Sequence, residues 1–178
     1  MKQFFLVFLL LFVVQTSLSQ EKKIKPFFEG SFMPTVTVNE DWDFGLDDEN
    51  FLVFSGTFFR LGVGYQLGNR FLLSLNAGYD YHFPYNIHAF PTYAKLRYNI
   101  WTDTEQAFFF QFSRGKMWRS SGRYSDGKYF STGLGYELES DSRWKPIITF
   151  TYHRKQINGL EDLNTLESIS IGLGFRFF

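Results

Sequence analysis

One histidine lies where it could take part in acyl-transfer chemistry. His153 stands near the end of an alternating segment, and Glu167 and Ser168 begin the segment after the next loop. A histidine paired with an acid can activate a serine hydroxyl as a nucleophile. Lys155 occupies the position two residues after His153, so Ser168 or Ser170 would have to supply the hydroxyl from the neighbouring segment. A hydrogen-bonded histidine on a polar face is the alternative interpretation.

A second set of candidate ligands lies in the acidic stretch of residues 39–49. Asp41, Asp43 and Asp47 offer hard oxygen ligands that suit Ca²⁺. The spacing matches no complete EF-hand loop, because Leu52 stands where the bidentate glutamate should be. A solvated surface loop is the main interpretation, and we expect neither a metal site nor a cofactor.

The elements that must position these residues are clearest at the end of the chain. In residues 168–178, five apolar side chains alternate with serine, glycine and arginine, and the chain stops on an aromatic pair. A period of two predicts a strand with one apolar and one polar face. Such a strand would promote aggregation unless its edges are paired and its apolar face is covered.

The first 20 residues have the pattern of a cleaved export signal. Lys2 supplies a positive charge, residues 4–14 form an unbroken apolar run, and Ser17 and Ser19 supply small residues near the expected cleavage point. Eleven residues rise only about 16 Å as a helix, which is too short to span a bilayer. We therefore predict a signal peptide over residues 1–20 and one domain over residues 21–178.

The composition favours a membrane barrel over other classes of protein. There are 24 Phe, 10 Tyr and 4 Trp, yet the overall hydropathy is slightly negative. Aromatic residues interleaved with polar ones suit a barrel with lipid outside and polar groups inside. Equal numbers of basic and acidic residues argue against nucleic-acid binding, and the absence of cysteine excludes disulfides.

Turn signals divide the rest of the chain into eight alternating segments, with ten strands as the alternative if residues 35–38 form a separate pair. The segments are residues 24–33, 53–67, 71–82, 90–101, 106–118, 128–138, 144–155 and 168–178. Connections after the even-numbered segments are short, and most of the others are longer. This asymmetry is typical of bacterial outer-membrane barrels, whose short turns are periplasmic.

The export signal, the eight alternating segments and the aromatic end together resemble the small outer-membrane barrels of the OmpA/OmpX type. The abundance of phenylalanine is similar to that of the outer-membrane β-barrel domain proteins of Bacteroidota. The resemblance implies an all-β, eight-stranded, antiparallel up-and-down barrel in the outer membrane. A soluble lipocalin-like barrel would place the aromatic rings inside, and eight strands cannot enclose so many.

The polar faces of these segments predict an ion network inside the barrel. Its members are the charged residues that alternate with apolar ones: Glu29, Arg60, Asp80, Lys95, Arg97, Glu137, Lys155 and Arg176. Buried charges must be paired, so we expect them to fill the interior as a plug. A continuous water channel is the alternative, and glycines alternating on the same faces would make room for the long side chains.

The position of His153 also resembles the lipid A deacylase family of eight-stranded barrels, whose penultimate strand carries a histidine, then a serine two residues later. The resemblance implies His153 as base and Glu167 as acid, but Lys155 replaces the serine. We therefore expect a monomeric structural or surface-interaction barrel, with a lipid A-modifying acyl hydrolase as the alternative. Expected partners are outer-membrane lipid, lipopolysaccharide and, through residues 169–178, the outer-membrane assembly machinery.

Overall fold

A computed structural model describes residues 24–38, 52–84, 86–103, 105–118, 127–156 and 165–178. The predicted signal peptide and the acidic stretch with Asp41, Asp43 and Asp47 lie outside these residues. In the described part of the chain, no helix has the length and apolar character needed to cross a membrane.

Eight antiparallel strands follow one another around a closed barrel, which confirms the predicted fold class. Each strand pairs with its neighbours in sequence, and β1 pairs with β8 to close the ring. The strands are β1 (Ile24–Val38), β2 (Leu52–Leu67), β3 (Phe71–His82), β4 (Ile87–Thr102), β5 (Ala107–Trp118), β6 (Gly127–Glu137), β7 (Trp144–Gln156) and β8 (Thr165–Phe177).

Residues 35–38 pair, but they do so as a continuation of β1 and not as an additional hairpin. The register between β1 and β2 shifts between Thr35 and Val36, where Thr35 faces Gly56 and Val36 faces Phe54. This shift leaves one extra residue on β2, as in a β-bulge. The described chain therefore has eight strands, and the ten-strand alternative is wrong.

Alternation along the strands places apolar side chains on the outside. On β5, Phe108, Phe110 and Phe112 are exposed, whereas Ala107 and Phe109, which alternate with them, are buried. The same pattern repeats on β3, where exposed and buried residues alternate from Phe71 onward. An apolar exterior around a largely polar interior is the distribution expected of a barrel surrounded by lipid.

The two ends of the barrel differ. The end at which β1 begins and β8 ends, and which carries the connections 68–70, 103–106 and 138–143, is here called the turn end, and the opposite one the loop end. Gly68 adopts a φ of 64°, which glycine accepts readily, in the tight turn between β2 and β3. At the loop end, the connection between β3 and β4 is short, and Phe83 N–H donates to the Ser55 carbonyl at 2.9 Å.

The last two residues face opposite sides of the barrel wall. Phe177 lies beside Trp144 on the outside, with ring centroids 4.7 Å apart. Phe178 meets Phe27, a buried inward side chain, edge to face at 6.4 Å. Phe177, in phase with the apolar residues before it, therefore completes the outer face of β8.

Candidate functional site in the barrel interior

Small inward residues create the space in which the long polar side chains lie. A Cβ added to Gly62 would come within 2.1 Å of Asn76 Oδ1 and 2.9 Å of Glu29 Oε1. A Cβ added to Gly135 would come within 2.2 Å of the Phe109 ring. Glycine at these strand positions allows side chains from other strands to approach the backbone closely.

Near the turn end, a group of charged side chains forms what we call the turn-end cluster: Glu29, Lys95, Arg97, Glu137 and Arg176. Lys95 Nζ lies 2.7 Å from Glu29 Oε2, and Arg97 Nη2 donates to Glu137 Oε2 at 2.7 Å. Arg176 donates to the other oxygen of Glu137. One carboxylate therefore joins β6 to cations on β4 and β8, across the interior.

Neutral side chains fix the orientation of this cluster. Ser74 Oγ donates to Glu29 Oε1 at 2.8 Å, and Asn76 Nδ2 donates to Ser74 Oγ at 2.8 Å. The Arg97 guanidinium lies 3.6 Å from the centroid of the Phe109 ring. Because hydrogen bonds and a ring face occupy several sides of these charges, their geometry is strongly constrained.

A second group of side chains, the loop-end cluster, lies around Asp80. Its other members are Arg60, Lys155, His82 and Phe58. Arg60 Nη1 donates to Asp80 Oδ1, and Lys155 Nζ lies 2.5 Å from Asp80 Oδ2. Lys155 Nζ is also 2.9 Å from His82 Nε2 and 3.3 Å from the centroid of the Phe58 ring. This fully buried lysine therefore has an acid, an imidazole and an aromatic face as neighbours.

His153 lies beside this cluster, within hydrogen-bonding distance of two hydroxyl groups. Its Nε2 is 2.7 Å from Ser170 Oγ, and its Nδ1 is 2.9 Å from Tyr129 Oη. The Phe58 ring meets the imidazole edge to face at 5.3 Å. Only about 1% of His153 and 1% of Ser170 is exposed. The serine–histidine contact of a nucleophilic pair is present, but it lies inside the barrel.

The structure does not bring Glu167 to His153. Glu167 faces outward, with 52% of its side chain exposed, and lies 3.4 Å from Arg154 Nε. Ser168 is opposite His153 in the register between β7 and β8 and is buried. Neighbouring residues on a strand point to opposite faces, so Glu167 and Ser168 cannot both reach the interior. The serine hydroxyl that His153 contacts is therefore that of Ser170.

Between the two clusters lies a small cavity of about 50 Å³. A cavity of this size holds only a few water molecules. Polar side chains from seven strands, β1 to β7, line it, including Gln111, Ser113, Ser131, Thr149 and Thr151.

Buried apolar side chains accompany both clusters. At the loop end, Ile87, Ala89, Met117 and Leu166 form one buried hydrophobic group. Toward the turn end, the buried apolar side chains are Phe27, Leu72, Ala107, Phe109 and Ile147. Apolar side chains therefore pack with both ion clusters, and two of them, Phe109 and Ile147, also line the cavity.

Sequence reasoning missed several polar residues that the structure places in contact with the charges. Tyr129 contacts His153, and Asn99 accepts from Arg97 Nε at 2.9 Å. The strand period of two could have identified both as inward residues, because Tyr129 is in phase with inward Ser131, and Asn99 with inward Arg97. No group of three or more histidine or acidic residues arranged to hold a metal ion occurs among the described residues.

Comparison with known proteins supports the class of fold. No protein-family model matches the chain, and no curated protein matches its sequence. The structure is similar to that of Neisserial surface protein A, with a TM-score of 0.61 and 10% identity, covering 88% of this chain and 99% of that one. It also resembles the N-terminal β-barrel domain of Pseudomonas aeruginosa OprF, with a TM-score of 0.51 and 16% identity, covering 85% and 97%. The chain thus has the fold of the small eight-stranded outer-membrane barrels.

Proposed function

We propose that this protein resides in the bacterial outer membrane as a monomeric barrel with a packed interior. In this role it stabilises the membrane and presents its loop-end connections to the outside. The observation that carries the proposal is the pair of buried ion clusters, packed with apolar side chains, which leave a cavity of only about 50 Å³ between them. A pore for solutes needs a continuous wet path, which this packing opposes. The shared fold of the two solved outer-membrane barrels supports the location.

The experiment that tests the packed interior is conductance in planar lipid bilayers. Refolded protein should insert without producing stable open steps, because no continuous aqueous path crosses the clusters. A wide outer-membrane porin, inserted under the same conditions, provides the positive control. Reproducible, long-lived conductance steps from the wild-type protein would overturn the packed-interior proposal.

The loop-end connections are the parts of the chain that we propose to interact with partners. Residues 39–51, 119–126 and 157–164 connect strands at this end, and their sequences are rich in polar residues. Connections of a rigid barrel are where binding functions usually reside. Replacing each segment in turn with a short glycine–serine linker should abolish surface interactions while leaving the barrel folded.

The proposal also covers how the protein is exported and inserted into the outer membrane. We infer that residues 1–20 are removed as a signal and that the outer-membrane assembly machinery recognises the closing strand, residues 169–178. The outer face of that strand, which ends with Phe177 beside Trp144, supports this. The phenylalanine-rich exterior also supports kinship with the barrel-domain proteins of Bacteroidota. Mass spectrometry of the membrane-extracted protein would locate its first residue.

A lipid-modifying acyl hydrolase is the second candidate, and one observation favours it. Ser170 Oγ and His153 Nε2 lie 2.7 Å apart, as in a nucleophile–base pair. The outward position of Glu167 and the burial of both side chains oppose it. The test is fatty-acid release from lipopolysaccharide in detergent: a hydrolase would lose activity in both Ser170→Ala and His153→Ala, whereas a structural barrel releases none in any form.

A further inference from the structure

The outward surface at the loop end carries a group of exposed cations on three adjacent strands. Arg114 and Lys116 lie on β5, Lys128 on β6 and Arg154 on β7. All four residues are exposed to the surroundings of the barrel. We call them the cationic patch.

On β5 the patch begins where the continuous run of exposed aromatic residues ends, and exposed Trp118 follows it with its ring centroid 5.6 Å from Lys116 Nζ. Along β5 the exposed aromatic residues Phe108, Phe110 and Phe112 are followed directly by Arg114 and Lys116. A lysine or arginine costs about 2–4 kcal/mol at the bilayer midplane but only about 0–1 kcal/mol near the interface. Cations are therefore tolerated on this face only at the level of the lipid headgroups, which their long side chains can reach.

Within the patch, like charges oppose each other. Lys116 and Lys128 are direct partners across the antiparallel pair of β5 and β6. Like charges placed opposite each other on neighbouring strands are destabilising. Of the four cations only Arg154 has an ion pair with a described residue, Glu167 at 3.4 Å. The arrangement is unfavourable alone and becomes favourable when an anion lies between the two lysines.

The neighbouring arc of the loop end, on β3 and β4, has a different character. The outward residues of β3 and β4 there form an aromatic group, in which His88 stacks on Tyr81 at 4.7 Å and its Nδ1 lies 2.6 Å from Tyr79 Oη. Among the described residues, this arc carries no outward lysine or arginine. Within the part of the chain that the structure describes, the outward positive charge of the loop end is confined to β5, β6 and β7, which distinguishes it from an evenly distributed belt.

We propose that Arg114, Lys116 and Lys128 bind the phosphate groups of a phosphorylated glycolipid in the outer leaflet. The acyl chains of that lipid would lie against the aromatic residues next to the patch, such as Phe112 and Phe130, whose rings meet edge to face at 5.3 Å. Charge complementarity and the adjoining apolar surface together favour a membrane lipid over a free anion. The inference rests on the outer-membrane location and is independent of the packed interior.

The test compares lipopolysaccharide binding by wild-type protein, the Lys116→Gln/Lys128→Gln variant and a control, all in neutral detergent. The control, Lys25→Gln/Arg143→Gln, removes two exposed cations from the turn end. Each headgroup-level cation contributes roughly a fivefold effect, so the patch variant should bind about thirtyfold more weakly. The control should bind like wild type. Equal affinity of all three proteins would overturn the proposal.

Two further measurements separate the lipid from other anions and from folding defects. Dephosphorylated glycolipid should bind wild type and patch variant equally, and inorganic phosphate at matched concentration should not compete. Competition by inorganic phosphate would instead assign the site to a free anion and overturn the lipid proposal. Without glycolipid, the patch variant should unfold at a higher temperature than wild type because the lysine repulsion is gone; a lower temperature would contradict the like-charge argument.

Discussion

At the scale of single residues, the two buried acids Asp80 and Glu137 should matter most for stability. Asp80 forms ion pairs with Arg60 and Lys155, and Glu137 forms ion pairs with Arg97 and Arg176. An unpaired charge in such an interior costs several kcal/mol. Removing one carboxylate therefore leaves two cations without their counter-charge, whereas removing one cation leaves the acid still paired.

We expect Asp80→Asn to be severely destabilising. The amide keeps the shape of the side chain but leaves Arg60 and Lys155 with no negative partner, so the free energy of unfolding should fall by about 3–5 kcal/mol. The measurement is urea unfolding of the protein in lipid vesicles.

Asp141→Asn provides the matched control, since Asp141 is exposed at the turn end and its replacement should change the free energy by less than about 0.5 kcal/mol. If both variants unfold at the same urea concentration as wild type, the Asp80 ion pairs do not stabilise the barrel.

At the scale of the strand, the alternation of outward and inward side chains determines how much each substitution lowers the free energy of unfolding. Leu75 in the middle of β3 is 68% exposed on the apolar exterior, whereas neighbouring Ser74 and Asn76 are buried. The same strand therefore contacts lipid on one face and the ion network on the other. A polar substitution on the outer face must be judged by its depth in the membrane.

Leu75→Lys should lower the free energy of unfolding in bilayers by about 2–4 kcal/mol, because the charge enters the hydrocarbon. Leu67→Lys, the same change at the turn end of β2, should cost only about 0–1 kcal/mol. The measurement for both variants is chemical denaturation in lipid vesicles. In detergent micelles the difference between the variants should shrink, and equal losses in bilayers would contradict the placement of Leu75 at mid-depth.

At the scale of the whole molecule, closure by β1 and β8 leaves no free strand edge. The two strands pair from Phe28 opposite Phe177 to Val36 opposite Ile169. A closed ring of hydrogen bonds opens cooperatively, which gives membrane barrels their resistance to detergent. The unboiled protein should therefore migrate differently from the boiled protein on a denaturing gel. Identical migration together with recovery in the soluble fraction would contradict the barrel in membranes.

Much of this architecture could be read from the sequence because a strand period of two is a local property. The alternation of Phe108, Phe110 and Phe112 with buried residues specifies both the element and its faces. The same period identified the inward charges, including Asp80 and Lys155. Which charged residues form ion pairs could not be read, because the two partners can come from strands on opposite sides of the ring. Asp80 on β3 and Lys155 on β7 are such a pair.

The strand period and the turn signals were sufficient to specify the eight strands, their inward and outward faces, and the long and short connections between them. Which charges meet depends on the folded barrel, since side chains from distant strands share one narrow interior. The tertiary structure placed Ser170 instead of Ser168 beside His153, and it turned Glu167 outward to Arg154. It also set Lys116 opposite Lys128, because the register between two strands depends on how the whole barrel closes.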